Sequence, residues 1–148
     1  MQTEFSTHSI SKVLSPNDVG SNGSHQAGIL IPKRHQLLSF FPFLDATKKN
    51  PRVQLSFFDE FETIWQFMYI YYNNKYFDGT RNEFRLTGLT RYFKENFLRA
   101  GDKIIFSINE AGKRYIRHER ADKQETNDFV IRLSDRWTVI NIKEKKHV

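Results

Sequence analysis

Two polar stretches hold most of the groups with which this chain could read another molecule by hydrogen bonds. The first, residues 14–28, presents Asn17, Asp18, His25 and Gln26 beside the hydroxyls of Ser15, Ser21 and Ser24. The second, residues 73–85, presents Lys75, Thr80, Arg81, Asn82, Glu83 and Arg85. These residue types match what a base edge in a DNA groove demands. A guanidinium donates in pairs to guanine, carboxamides serve adenine, and carboxylates accept from the cytosine amine. Hydroxyls suit phosphate oxygens, which set position without carrying sequence. Local structure is the plainer alternative for some of these groups: Asn17 and Asp18 are at home in Asx turns, and Arg85 can pair with Glu83 on one strand face. Arg81 has no obvious local partner in its own segment.

Catalytic chemistry has less to stand on. A metal-dependent nuclease needs acidic residues converging on a divalent cation, usually with a lysine nearby. Glu60 and Glu62 lie close together and Glu110 precedes Lys113, but neither group makes a two-acid-plus-lysine strand pattern. Solvated turn charges are the better reading, and a small metal-dependent nuclease stays as the alternative. The five histidines, at positions 8, 25, 35, 118 and 147, are scattered without a pair at ligand spacing. Cysteine is absent, which removes disulfides, thiolate zinc sites and thiol catalysis, and fits a reducing compartment. No Gly-rich phosphate loop or nucleophile elbow occurs. The expectation is a chain with no catalytic residues, metal or cofactor. A third reading, a protein- or carbohydrate-binding β-barrel, would use Tyr71, Tyr72 and Tyr76, although core packing is the expected fate of the first two.

Elements able to hold two such loops are legible in the apolar pattern. The 148 residues suffice for one domain, and fourteen phenylalanines among 15% aromatics exclude a disordered chain. A net charge of +6 favours an anionic partner. Residues 28–32 read as a short strand stopped by Pro32. Residues 53–58, 103–108, 113–118, 129–133 and 137–142 read as further strands. Residues 63–72 are apolar on both faces and predict a strand buried on both sides. One or two helical turns are expected within 35–44, and an amphipathic helix over 90–97 in which Tyr92 or Phe93 pairs with Phe97. Residues 1–9 and 143–148 are expected to be flexible. About seven short strands with two short helices make the chain mainly β, a closed or nearly closed barrel. The first residues lack a signal-peptide pattern and the longest apolar run is too short to span a bilayer, so a cytoplasmic protein without a membrane partner is expected.

The first loop, Leu14-Ser-Pro-Asn-Asp-Val-Gly-Ser-Asn-Gly-Ser-His-Gln-Ala-Gly-Ile-Leu-Ile-Pro32, resembles the first arm of the EcoRII restriction endonuclease N-terminal, effector-binding domain family. The second, Tyr71-Tyr-Asn-Asn-Lys-Tyr-Phe-Asp-Gly-Thr-Arg-Asn-Glu-Phe-Arg85, resembles the second arm of that family. Asn96-Phe-Leu-Arg-Ala-Gly-Asp-Lys-Ile-Ile-Phe106 is similar to the Leu-x-x-Gly-Asp-strand element of the plant B3 class, to which the EcoRII domain belongs. The resemblance implies a DNA-binding pseudobarrel whose two arms grip double-stranded DNA and read bases from the major groove. It carries over DNA-contact positions at His25, Arg81, Glu83 and Arg85, with Asn17, Asp18, Gln26 and Asn82 also matching the pattern. It further implies a short specific site of the CCWGG kind, and either a nuclease domain elsewhere in a longer protein or a free-standing relative of such a recognition domain. Three positions depart from the family: Gly79 and Phe84 stand where it has lysines, and Leu30 replaces a tyrosine. Lys75 could restore part of the lost charge.

Overall fold

Alternating apolar residues settle into eight strands: β1 (Thr3–Val13), β2 (Ile29–Ile31), β3 (Arg52–Phe58), β4 (Ile64–Tyr72), β5 (Glu83–Thr87), β6 (Lys103–Ile108), β7 (Arg114–Glu119) and β8 (Trp137–Lys146). Two short helices, α1 (His35–Leu38) and α2 (Thr90–Glu95), interrupt them. The computed structural model describes residues 3–20, 28–121 and 135–146. All eight strands join one sheet in the order β2-β5-β4-β3-β7-β6-β1-β8. Neighbours run antiparallel except β3 and β7, whose parallel pairing rests on Phe57 opposite Arg114 and Phe58 opposite Tyr115.

The two edges of this sheet are stitched by side chains. Trp137, at the start of β8, is fully buried, and its indole N–H donates to the carbonyl of Leu30 on β2 at 3.1 Å. Arg34, just past β2, donates from Nη2 to the Trp137 carbonyl at 3.4 Å and lies 3.6 Å from Asp135. The sheet therefore curls into a half-barrel, and its concave face holds Ile10, Leu55, Phe67, Leu86, Ile104 and Ile116. Phe57 lies at the centre, with ring centroids 5.4 Å from Phe67 and 5.3 Å from Phe106. Fourteen phenylalanines in so short a chain thus find their use, because aromatic rings bury large areas in few residues.

Two sequence expectations need correction. The strand β4 is buried mainly on one face: Trp65, Phe67 and Tyr69 turn inward, while Ile64 and Gln66 are exposed. Phe97 does not pair within α2; the helix ends at Glu95, and Phe97 takes a positive φ of 55° with its ring 80% exposed. The sheet also takes in residues near both ends of the chain, with Thr3 opposite Lys146 and Ser6 opposite Lys143. Polar composition concealed these strands, since a strand's hydrogen bonds come from its backbone. The eight strands among the described residues agree with the mainly β pseudobarrel of about seven strands and two short helices expected from the sequence. The strand expected at residues 129–133 lies outside the described residues. Among the described residues, no helix is long and apolar enough to cross a membrane.

The closure bond makes a sharp test. Trp137→Phe should lower unfolding free energy by about 2–4 kcal/mol, combining lost buried area with an unsatisfied carbonyl. Leu30→Ala, which keeps that carbonyl and trims a half-exposed side chain, should cost under about 1 kcal/mol. Urea denaturation of both variants would show whether the indole hydrogen bond is the closing contact.

Candidate nucleic-acid interface

The first arm, residues 14–28, leaves β1 and returns on β2. Its root is clamped at Leu14, whose N–H donates to the Asp102 carbonyl and whose carbonyl accepts from Gly101 N–H, both at 2.8 Å. Asp102 is itself held: its carboxylate accepts from the backbone N–H of Arg99 at 2.8 Å and of Ala121 at 2.9 Å, with Arg120 3.6 Å away. Burial pushes this carboxyl up, but those hydrogen bonds and the charges of Arg120 and Arg99 outweigh it and hold it below its ordinary range. Two turns above, the buried carboxylate of Asp18 forms an ion pair with the equally buried Lys12 and accepts from Ser15 N–H at 2.9 Å. Ser15 answers by accepting from Asp18 N–H at 3.1 Å. Ser15 and Asp18, both expected at the DNA, thus also shape the arm's base. Asn17 is exposed in the same turn. Ser21, Ser24, His25 and Gln26 lie outside the described residues. The arm rejoins the sheet at Gly28, where φ is +93° and a Cβ would meet the Leu86 carbonyl at 2.5 Å, so only glycine fits.

The second arm, residues 73–82, joins β4 to β5 and is anchored as firmly. Asn73 is fully buried: its amide donates to the carbonyls of Ala46 and Lys48 at 3.1 and 2.8 Å, and its side-chain oxygen accepts from Asn50 N–H at 2.7 Å. Beyond it, the side-chain oxygen of Asn74 accepts from Arg81 N–H at 2.7 Å and spans the arm. A Cβ on Gly79 would sit 2.6 Å from Asn74 Cγ, so a lysine at this position would displace the brace. Phe84, the other lysine replacement, joins a stack of rings. Its centroid lies 4.2 Å from Tyr71 at 6° between planes and 5.9 Å from Tyr69, which in turn stacks on Phe41 at 4.4 Å. Tyr71 donates its hydroxyl proton to Asn82 at 2.7 Å. Lys75, Tyr76 and Thr80 stand exposed toward the tip.

Between the arms lies a floor formed by the convex face of β2, β5, β4 and β3. One ladder row runs Leu30, Arg85, Ile70, Arg52. A cleft of about 400 Å³ opens above it, with Asp18 and Gly28 of the first arm on one side and Arg52, Ile70, Tyr72 and Thr87 of the floor beneath. Arg85 Nε donates to Glu83 at 2.6 Å, and Arg85 Nη1 donates to the Gly28 carbonyl at 2.9 Å, tying the floor to the first arm. Arg81 does have local partners: Glu83 at 3.4 Å and the Tyr72 ring, 3.7 Å below its guanidinium carbon. Burial pushes the Glu83 carboxyl up, yet the Arg85 hydrogen bond and the charges of Arg85 and Arg81 hold it below the usual carboxylate range. Sequence reasoning missed Tyr72 as a support for arginine, and missed Arg52 altogether. Arg52 joins Arg85 only through strand register, which no local pattern announces. Of the residues considered for metal chemistry, Glu62 pairs with Lys113 at 3.2 Å. Among the described residues, no three His, Asp or Glu side chains could share a metal ion.

Comparison with known proteins places this geometry. The family model described as restriction endonuclease EcoRII, N-terminal, matches residues 4–140. The type II restriction enzyme EcoRII of Escherichia coli is 31% identical over 135 residues, covering 87% of this chain and 31% of that enzyme. The B3 domain-containing transcription factor NGA4 of Arabidopsis thaliana is 35% identical over 104 residues, covering 70% of this chain and 27% of that protein. The chain spans about three tenths of the length of these relatives. Among solved structures, an Arabidopsis FUS3–DNA complex superposes with a TM-score of 0.58 at 19% identity, covering 75% of this chain and 95% of that one. That likeness shows the fold, a B3-like pseudobarrel.

The buried pair at the first arm's base predicts a specific stability pattern. Asp18→Ala strands the buried Lys12 and should cost about 3–5 kcal/mol, while the paired change Lys12→Met with Asp18→Leu should recover most of it. Equal losses in the single and double variants would show that the ion pair is not the anchor. Acid should also loosen both roots. Asp102 and Glu83 have lowered native pKa values, so their stabilisation is complete above the unfolded carboxylate range near about 4 and is lost as pH falls through the native values. Asp102→Asn should flatten the acid limb of a thermal-melting profile against pH.

Proposed function

The chain belongs to the EcoRII N-terminal family, and we propose from that premise that it binds duplex DNA sequence-specifically, as a recognition module without catalysis of its own. The observation that carries this reading is the pair of polar arms rooted at opposite ends of β5, with Arg81 on the second arm and Arg85 and Arg52 on the strands between the roots. Fixed roots matter because base readout needs donors held to within a fraction of an ångström, which a free loop does not supply. In this reading the arms enter the major groove, Arg81 reads a base edge, and Lys75, Thr80 and Arg52 meet phosphates. His25, Gln26, Ser21 and Ser24 would serve from the first arm. We place the module in a restriction system, beside a separate nuclease domain of a longer protein; the match to EcoRII across most of this chain supports that setting over the plant transcription-factor one. The preferred site is short and specific, and the changes at Leu30, Gly79 and Phe84 would shift it from the CCWGG kind.

Selection of bound duplexes from a random pool should yield one short motif, and the absence of enrichment would sink the proposal. Affinity for that motif should fall linearly on a logarithmic salt scale, because phosphate contacts release counterions. Arg81→Ala should cost about 1–3 kcal/mol of discrimination at one position, and Arg52→Ala should weaken all duplexes alike while reducing the salt slope by about 1. Site-specific cutting of plasmid by the pure protein with magnesium would overturn the non-catalytic part.

A further inference from the structure

The three charged side chains at the second arm's base are not equivalent. Both Glu83 oxygens are engaged, one by Arg85 Nε at 2.6 Å and the other by Arg81 Nε at 3.4 Å. Arg85 also donates from Nη1 to the Gly28 carbonyl, so two of its three nitrogens are bound within the protein. Arg81 is held through Nε alone and from beneath by the Tyr72 ring at 3.7 Å. Among the described residues its two Nη nitrogens meet no protein acceptor, and they form the edge that can give parallel hydrogen bonds. Register reinforces the arrangement, since Tyr72 lies directly opposite Glu83 across β4 and β5.

We infer that Glu83 is a positioning residue: its carboxylate, with the Tyr72 ring, holds Arg81 as a preformed fork for a base edge, while Arg85 is the strut joining the two arms. This rests on the duplex-binding reading and refines it, because the family resemblance treats Glu83 and Arg85 as contacts in their own right. A carboxylate already shared by two guanidiniums has half its lone-pair sites taken and its charge neutralised, which makes it a weaker acceptor for a cytosine amine than a free one. A planar guanidinium fixed at Nε and stacked on a ring loses little further freedom on binding, which favours affinity through preorganisation. The groups facing Glu83 are Arg81 and Arg85 from its own segment and the Tyr72 ring from β4. Arg52 of β3 lies two strands away, in the Arg85 ladder row.

Two measurements test it. In the free protein, the Arg81 and Arg85 Nε–H resonances should move together as the Glu83 carboxyl titrates below the ordinary carboxylate range; independent titration would overturn the rack whatever the protein binds. On the duplex selected from a random pool, Arg81→Ala should weaken binding about 5–150-fold. Glu83→Gln should weaken it less, by about 3–10-fold, with base preference unchanged at every position. The double variant should bind no more weakly than Arg81→Ala alone. Multiplying losses, or a changed preference at one base pair confined to Glu83→Gln, would show that the carboxylate reads DNA itself. Arg85→Gln should weaken all duplexes by a similar factor; a loss confined to one base pair would overturn the strut. Melting temperatures measured alongside separate these effects from unfolding. A wild-type protein that selects no duplex would sink the binding proposal, while the free-protein titration would still decide the rack.

Discussion

Closure of the sheet is the constraint on which the rest of the molecule depends. In the strand order, β2 stands first and β1 seventh, so in a flat sheet they would lie roughly 29 Å apart at about 4.8 Å per strand. The first arm leaves one of these strands and returns on the other. Its two roots, at Leu14 and Gly28, can lie near one another only because the curl, fastened by the Trp137 indole on the Leu30 carbonyl, brings the two edges together. Curl also turns the floor outward between the arms, so the closing contact and the candidate interface are two consequences of one bend.

Charge in this protein is largely structural before it is functional. The buried Asp18 meets Lys12, Asp102 collects two backbone N–H groups and a guanidinium, and Glu83 lies between two arginines. Each acid sits at the base of an arm, where it costs least to desolvate because its partners arrive with it.

The departures from the family pattern have physical companions. Gly79 leaves room for Asn74 to brace the arm, and Phe84 extends a stack of four rings from Phe41 to Tyr71. Both residues give the second arm rigidity where the resemblance would place a mobile cation. Leu30 is half-exposed on the floor while its carbonyl holds Trp137, so the side chain is free to vary where the backbone is not.

Much of the fold could be read locally. Apolar runs bounded by turn residues marked β3, β4, β6 and β7, with clear alternation in β6, and turn residues marked both arms, because side-chain period and backbone conformation depend on neighbours along the chain. The identity of the arm residues likewise announced hydrogen-bonding groups suited to base edges. What local pattern could not show was pairing: that polar Thr3–Val13 is a strand, that Arg52 shares a ladder row with Arg85, that Tyr72 lies beneath Arg81, or that Asp18 is buried against Lys12. These depend on register and on the closing of the sheet, which join residues far apart in the chain. The amino-acid sequence thus determined which groups each arm carries, and the tertiary structure alone decided which are held by partners and which are left facing outward, because a side chain's partners are set by the strands that fold against it.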